Sequence, residues 1–382
     1  MIVTTVKKKK RMFLGTINLA IFGVIIVVGL WPFNFWPENR VKWLKDQSGL
    51  HFFDQAIIYS TIPFSRSSSF PIDSFSLEIW LQPGKESYDY TARILSLYDG
   101  ERTENIVISQ WKSGLILQRG ITKDHPEESF PKVGLKGALP KGVKRFFTIT
   151  SGPGGTKIYS DGKLTGKYPK FHLFESGSNP GYLILGRSPG GRQSWNGNLY
   201  GLAIYNPSLT EEQVSQHFQR WINGEQTSLL RENGVFAFYL FDERSGNLAR
   251  DHVGNHHLIV PSKFKILRKT VLVPPWKDFR PTCSYVTDML TNILGFIPFG
   301  FFFSVYLSMR RPGPTRRLFL ISVVSAGLMS LLIELAQVYL PTRSSQLMDV
   351  ICNILGAGFG ALAFLYSAKR RLALTNEEDL LP

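Results

Sequence analysis

Six polar or charged residues interrupt three otherwise apolar segments near the C-terminus, and a seventh lies in the short loop between the last two segments. They are Asp288 and Asn292, Glu334 and Gln337, Asp349 and Asn353, and the single Arg343. Within each pair the spacing of three or four positions places both side chains on one face of a helix. All of these groups can bind a polar ligand and the carboxylates can also exchange protons, while Arg343 is the natural counter-ion for one or more of the acids. Charged groups inside a bilayer cost roughly 2.5–3.5 kcal/mol each, so the sequence predicts a polar pocket there.

The segments that carry these residues are long and apolar enough to cross a bilayer as helices. Four membrane helices are predicted, at residues 12–31, 286–307, 318–340 and 347–367. A basic stretch before an apolar core also begins a signal peptide. However, no small-residue cleavage site follows the first segment, which favours an uncleaved helix.

The charge distribution predicts how these helices are oriented. The chain has 382 residues, with 44 basic and 29 acidic ones and a net charge of +15. Basic residues flank the apolar segments, and the positive-inside rule then places residues 1–11 and 368–382 in the cytoplasm. Residues 38–285 lie outside it, and the seven polar residues fall at the outer end of the bundle. This predicts a multi-pass protein of the plasma (inner) membrane whose partner is the lipid bilayer. No nucleic-acid recognition motif accompanies the charge.

Between the first two predicted membrane helices the hydrophobic pattern changes to period two. One segment alternates Phe75, Leu77, Ile79 and Leu81 with polar positions, and Asp161-Gly162 is a hairpin signal. Short strands with regular turn signals predict an all-β sandwich over residues 48–262. A linker over 263–285 leads back to the membrane. The fold class is therefore a multi-domain membrane protein, a four-helix transmembrane bundle with an inserted jelly-roll sandwich.

Two stretches near the C-terminus resemble the VanZ-like membrane proteins. They are TDMLTNILGFIPFG and IELAQVYLPTRSSQLMDVICNILGAGFG, with LWPFNFWP near the N-terminus as a weaker match. The resemblance covers residues 12–45 and 284–368. The family is named for a protein associated with resistance to glycopeptide antibiotics, notably teicoplanin, so it implies a cell-envelope role and no particular reaction. The large segment between the first two helices departs from the simple members.

The inserted segment resembles laminin-G-like, concanavalin A-type jelly rolls. The resemblance rests on FSLEIWLQP, KIYSDGKLTGK and YLILGRSPGG…WNGNLYGLAIYNPSLTEEQV. The stretch FAFYLFDERSGNLARDHVGNHHL usually opens such domains but closes this one, which predicts a permuted strand order or a partial second module. Trp80, Trp111 and Trp195 are candidates for stacking on sugar rings. Such domains often bind calcium, but no ligand string indicates it here, so no cofactor is predicted and metal binding stays open.

Four functions remain open at this stage. The leading hypothesis is an envelope protein whose polar pocket engages a glycan or lipid-linked glycan, while the jelly roll binds carbohydrate or protein. In the second, the bundle is only an anchor for an adhesion or glycan-binding domain. The third is an enzyme on a lipid-linked substrate, although no hydrolase, ATPase or metal-site motif is present and the acid spacing of glucan hydrolases is missing. The fourth is a transporter, for which four helices are few.

Overall fold

The chain forms two compact units. The computed structural model describes residues 2–64, 74–101, 103–121, 130–174, 180–191, 193–279, 282–310 and 314–378. One unit combines Met1–Phe35 with Lys269–Pro382, and the other comprises Trp36–Arg268. The second unit begins before residue 48 and ends after residue 262, so it includes chain on both sides of the predicted sandwich.

Trp36–Arg268 is a sandwich of two antiparallel sheets. The first sheet contains, in spatial order, β1 (Val41–Trp43), β2 (Leu50–Phe52), β13 (Gly197–Tyr205), β4 (Phe75–Pro83), β9 (Arg145–Gly152), β10 (Gly155–Ser160) and β11 (Lys163–Tyr168), with β14 (Val235–Tyr239) also paired to β13. The second contains β15 (Leu248–Ala249), β16 (Leu258–Ile259), β3 (Ile58–Ser60), β12 (Tyr182–Leu185), β5 (Ser87–Tyr98), β6 (Glu104–Lys112), β7 (Gly114–Ile121) and β8 (Lys132–Leu135). The predicted jelly-roll class is confirmed.

The period-two pattern places the core between the sheets. Phe75, Leu77, Ile79 and Leu81 of β4 are at most 3% exposed and belong to the main hydrophobic cluster, as the alternation predicts. Their neighbours in sequence point to the other face of the sheet. That face carries Glu78, which is fully buried.

Local signals fix two further features of the sandwich. Asp161 and Gly162 have φ values of 50° and 76°, and they join β10 to β11 in the predicted hairpin. Thr210 forms the capping box with Gln213 at the start of helix α2 (Glu211–Ile222). Val214, His217 and Trp221 are the buried residues of α2, and Trp221 packs in the cluster on the outer face of the first sheet.

The stretch that closes the sandwich belongs to the same two sheets. Its first strand, β14, pairs with β13, while β15 and β16 extend the second sheet beside β3. The stretch is therefore an added part of one sandwich, and a partial second module is excluded.

The other unit is helical. Its helices are α1 (Ile2–Leu30), the short α3 (Pro275–Asp278), α4 (Cys283–Arg310), α5 (Thr315–Gln337) and α6 (Leu347–Glu378). All but α3 are long and apolar enough to cross a membrane, with mean hydropathy between 1.7 and 2.4 in their most apolar windows. Helix α5 ends at Gln337, before the predicted limit at 340.

Glycines allow α4 and α6 to pack backbone to backbone. A Cβ added to Gly356 would lie 2.1 Å from the carbonyl oxygen of Ile293. The same addition at Gly360 would lie 2.0 Å from the carbonyl oxygen of Ile297. This is the small-residue contact that the spacing of the two glycines predicts for membrane helices.

Candidate functional site

Glu334 lies buried near the end of α5, with 2% of its surface exposed. Its carboxylate accepts a hydrogen bond of 2.7 Å from the backbone N–H of Gln346, and the side chain of Ser345 also bonds to it. Within the described part of the chain, no basic side chain approaches it to the 4 Å of an ion pair. The carboxylate is thus held by neutral donors, in a helix able to cross a membrane.

The loop before α6, which contains Ser345 and Gln346, is also hydrogen-bonded to residues of the predicted linker. The Ser345 hydroxyl accepts a hydrogen bond of 3.0 Å from the backbone N–H of Leu272. The N–H of Val273 donates to the carbonyl of Ser345 at 2.9 Å, and the carbonyl of Val273 accepts from the N–H of Leu347 at 3.0 Å. The middle of the predicted linker therefore pairs with the loop before α6 and with the first residue of that helix, which holds the loop against the carboxylate.

Arg343 does not form the ion pair expected of a counter-ion. Its side chain is exposed and donates at 3.2 Å to the carbonyls of Val28 and Trp31. Gln337 donates to the neighbouring carbonyl of Gly29 at 2.8 Å. The last carbonyls of a helix lack partners within it. Both side chains therefore cap the C-terminus of α1, although Arg343 is near enough to act electrostatically on Glu334.

Asn353 of α6 lies across the α5–α6 contact, level with the helical turn of α5 that precedes Glu334. It is 8% exposed, and its amide donates at 2.8 Å to the hydroxyl of Ser330, which lies four positions before Glu334. Its amide oxygen is buried and accepts no hydrogen bond from the part of the chain that the structure describes. Asp349, one turn earlier on α6, is half-buried and acts electrostatically on Glu334. Glu334, Asp349 and Asn353 therefore form one polar cluster.

The two site residues predicted on α4 stand apart from this cluster. Asp288 is exposed and Asn292 is half-buried. No hydrogen bond joins either one to the other site residues over the described ranges. The structure therefore divides the seven predicted residues into a cluster on α5 and α6, two caps on α1, and two residues on α4.

Sequence reasoning missed several polar contacts in the bundle. Ser330 has the same four-residue spacing to Glu334 that identified the other pairs, so this rule would have found it. Asn18 of α1 donates to the carbonyl of Phe302 at 3.1 Å, and Ser304 bonds Ser322 at 2.8 Å. Isolated hydroxyls and amides in apolar helices give no such spacing signal.

The three tryptophans proposed to stack on sugars have different surroundings. Trp195 is 1% exposed and donates to the Gln110 amide oxygen at 2.9 Å, so it belongs to the core. Trp111 is 37% exposed at the β6–β7 hairpin. Trp80 is half-buried on the outer face of the first sheet, with its ring centre 5.6 Å from that of Tyr200.

A buried network around Glu78 fastens α2 to the first sheet. Glu78 is fully buried and accepts hydrogen bonds from Tyr205 at 2.8 Å and Trp221 at 3.0 Å. Its other oxygen lies 2.9 Å from Nδ1 of His217, whose Nε2 lies 2.7 Å from Glu232. Because both ring nitrogens face carboxylates, the geometry fits a doubly protonated imidazolium.

The charges of this network shift the pKa values of its members. Burial lowers the pKa of His217, but the hydrogen bonds and negative charges of Glu78 and Glu232 outweigh it and leave that pKa raised. Burial, then the charge of Glu78, raises the pKa of Tyr205 well above its usual value. A network whose buried members satisfy one another in this way supports the fold.

A group of candidate metal ligands lies on both sides of β15 in the sequence. Asp242, Glu243 and His252 each bring one ligand atom within 4.8 Å of the others. Calcium takes six to eight oxygen ligands, and two carboxylates with one imidazole fall well short of that. One oxygen of Glu243 is already used, since it accepts from the N–H of Arg250 at 2.5 Å. This group alone does not make a calcium site.

Comparison with known families matches each unit to a separate model. Residues 233–369 match the VanZ/LLP1 model, and residues 58–215 match that of the concanavalin A-like lectin/glucanases superfamily. The chain thus carries a VanZ-like domain and a concanavalin A-like domain, which confirms both resemblances. The VanZ-like match begins inside the sandwich, before the unit boundary at Lys269. No curated protein matches the chain.

Solved structures resemble the sandwich at low identity. One is a Bacteroides ovatus protein assigned to carbohydrate binding, with 16% identity and a TM-score of 0.41, covering 56% of this chain and 58% of that one. Another is the CBM40 domain of Ruminococcus gnavus IT-sialidase with α2,3 sialyllactose, at 12% identity, 44% and 95% coverage, and a TM-score of 0.35. A third is a pentraxin from Limulus polyphemus, at 15% identity, 47% and 79% coverage, and a TM-score of 0.32. The chain spans less than two thirds of the first of these.

Proposed function

We propose that this protein is a cell-envelope protein that binds a glycan or a lipid-linked glycan at the outer end of its membrane bundle. Residues 38–285 would lie outside the cytoplasm and both termini inside it, as the flanking basic residues favour. The jelly roll would hold the carbohydrate portion of the same class of molecule. A link to glycopeptide susceptibility follows from the VanZ-like domain as a hypothesis.

The observation that carries this proposal is the buried carboxylate of Glu334. An ionisable residue within a membrane helix is costly, and such residues commonly mark ligand or ion sites. Glu334 has two further polar side chains beside it, Asp349 and Asn353, and no described residue donates to the amide oxygen of Asn353. A buried acceptor of this kind suits a ligand rich in hydroxyl or amide hydrogens, such as a sugar headgroup.

A second function is favoured by a different observation. Arg343 and Gln337 are occupied in capping α1, and this supports a bundle that serves only as an anchor. In that case the jelly roll alone would act, as an adhesion or glycan-binding domain. The two functions differ in what they require of Glu334.

The test is glycopeptide susceptibility of a bacterial host that lacks the gene. The host would express wild type, Glu334→Gln or Ser322→Ala, with equal amounts verified in the membrane fraction. Glutamine keeps an oxygen that accepts from Gln346 but removes the charge. Ser322→Ala is the matched control, because it removes a buried hydrogen bond of the bundle at a distance from Glu334.

We expect wild type and Ser322→Ala to change susceptibility and Glu334→Gln to lose the effect. If Glu334→Gln acts like wild type, the site at Glu334 is rejected and the anchor function is favoured. If wild type has no effect, the link to glycopeptides is rejected. A glycan screen on the full-length protein then tests whether it binds a glycan.

A further inference from the structure

A row of polar side chains crosses four neighbouring strands of the first sheet. Lys42 of β1 pairs in register with His51 of β2, His51 with Asn198 of β13, and Asn198 with Gln82 of β4. The residues that alternate with them, such as Leu50, Leu81 and Leu199, are buried in the core. The row therefore lies on the outer face and spans roughly 14 Å, given about 4.8 Å between strands.

Hydrogen bonds preset the middle of the row. Nδ1 of His51 lies 2.5 Å from the Asn198 amide oxygen, and the Asn198 amide donates to the Gln82 oxygen at 3.0 Å. Tyr200 donates to the same Gln82 oxygen at 2.5 Å, and the Gln82 amide donates to the carbonyl of Gly142 at 2.6 Å. These bonds fix the rotamers without using every donor and acceptor.

The unused hydrogen-bonding capacity is of two kinds. Nε2 of His51 and one N–H of Gln82 have no partner among the described residues, and the Asn198 oxygen can accept a further bond. These three half-buried side chains thus offer both donors and acceptors. Sugar hydroxyls, which donate and accept, fit such a surface.

Each end of the row combines a lysine with an aromatic ring. Lys42 lies 5.5 Å from the ring centre of Phe53, which is 37% exposed. At the other end Lys144 lies 4.3 Å from the ring centre of Tyr200 and 5.7 Å from that of Trp80. No carboxylate belongs to the row, so the surface presents two positive charges with aromatic faces beside them.

We propose that this row, from Lys42 through His51, Asn198 and Gln82 to Lys144, binds a glycan that carries carboxylate groups. The amides and the imidazole would bond the hydroxyls, the rings would pack against the sugar, and the two ammonium groups would bind carboxylates. The inference rests on the proposed function and deepens it, because it assigns a binding site to the jelly roll and a negative charge to the glycan bound there.

The experiment measures binding to the full-length protein in nanodiscs of uncharged phosphatidylcholine. The probes are a galacturonic acid hexamer, a neutral glucose hexamer and a short polyglutamate. We expect the galacturonic acid hexamer to bind at least about tenfold more tightly than either of the others, with an affinity that falls as salt is raised. A neutral sugar or polyglutamate that binds equally would overturn the proposal.

Variants then locate the binding surface. Asn198→Ala and the double variant of Lys42→Gln with Lys144→Gln should each weaken binding of the hexamer about tenfold or more, and the double variant should also lose the salt dependence. The matched control is Lys163→Gln with Lys157→Gln, on β11 and β10 of the same sheet. Melting curves verify that every variant is folded.

Two further results would overturn the proposal: no binding of the hexamer by wild type, or row variants that bind like wild type. Two separate readouts keep this inference distinct from the proposed function, namely susceptibility of cells for Glu334→Gln and binding of the hexamer for the row variants. If Glu334→Gln is silent in cells while the row variants lose the hexamer, the site in the bundle fails and the site on the sandwich stands.

Discussion

Glu78 in the sandwich and Glu334 in the bundle are equally buried, at 0% and 2% exposure, yet their partners differ. Glu78 is hydrogen-bonded to Tyr205, Trp221 and His217. His217 in turn contacts Glu232, which binds Arg220. Glu334 accepts hydrogen bonds from a backbone N–H and from a hydroxyl, and another acid, Asp349, lies nearby. The first carboxylate is compensated by a closed network, while the second is held by neutral donors within a polar cluster.

This difference separates structural from functional buried charge. Removing one member of a compensated network leaves the rest uncompensated, so the fold depends on each of them. A carboxylate held by neutral donors contributes less to the fold and remains able to respond to a ligand. Four measurements break or sharpen this contrast.

The largest effect is expected for Glu78→Ala. The substitution leaves the imidazolium of His217 and the hydroxyl of Tyr205 without their buried partner, which should cost about 3–5 kcal/mol of unfolding free energy. Tryptophan fluorescence during denaturant unfolding of the full-length protein measures it, since Trp80, Trp195 and Trp221 lie in the sandwich. Glu101→Ala, in an exposed turn, should stay within about 0.5 kcal/mol. Equal effects of both variants would show that the network is not needed.

Gly360→Ala should destabilise the bundle by about 1–3 kcal/mol, because its Cβ would meet the carbonyl of Ile297 and force α4 and α6 apart. Unfolding of the detergent-solubilised protein by rising SDS fraction measures the loss. Gly295→Ala is the control, since nothing lies within 4 Å of the added atom. If Gly295→Ala costs as much, close packing does not explain the stability of the bundle.

The stability of the sandwich should fall as pH rises above about 6.5. The pKa of His217 is raised from its usual 6.5 in the folded state. The stabilisation from its protonated form is therefore complete below the unfolded pKa and is lost as pH passes through the folded one. Denaturant midpoints of the sandwich at pH 6, 7, 8 and 9 test this. His217→Gln should flatten the trend over this range, and an unchanged slope in the variant would assign the pH effect to another group.

The smallest stability effect is expected for Glu334→Gln, under about 1 kcal/mol. The amide oxygen can still accept from Gln346, and only the charged component of the hydrogen bond is lost. SDS unfolding of the solubilised variant measures it beside the susceptibility assay. A loss comparable to that of Glu78→Ala would mean that Glu334 also acts mainly in the fold.

The sequence predicts features that depend on local periodicity. The alternation of Phe75, Leu77, Ile79 and Leu81 follows from the pleat of a strand, and the Asp161-Gly162 turn follows from the backbone conformation that glycine permits. Four apolar helices follow from length and hydropathy alone. In each of these cases the determining residues are neighbours in the chain.

Contacts between distant residues could not be predicted in this way. Glu78, Tyr205, His217 and Glu232 come from four separate elements, and no spacing in the sequence links them. Arg343 shows the same limit, because its predicted level beside three acids at the outer end of the bundle suggested an ion pair, whereas the end of α1 offered it free carbonyls. The approach of α1 to that loop is a tertiary feature that charge counting does not include.

The two ends of the sandwich lie side by side. Glu38 and Lys263 form an isolated antiparallel β-bridge through their backbones. The N–H of Phe264 donates to the carbonyl of Pro37 at 2.8 Å, and the N–H of Asn39 donates to the carbonyl of Ser262 at 3.0 Å. Chain entropy depends on the distance that a connection must close and only weakly on its length. For α1 and α4 the whole sandwich therefore acts as a short connection. A module of this kind can be exchanged for another with adjacent termini, or removed, at little cost to the helices that carry it.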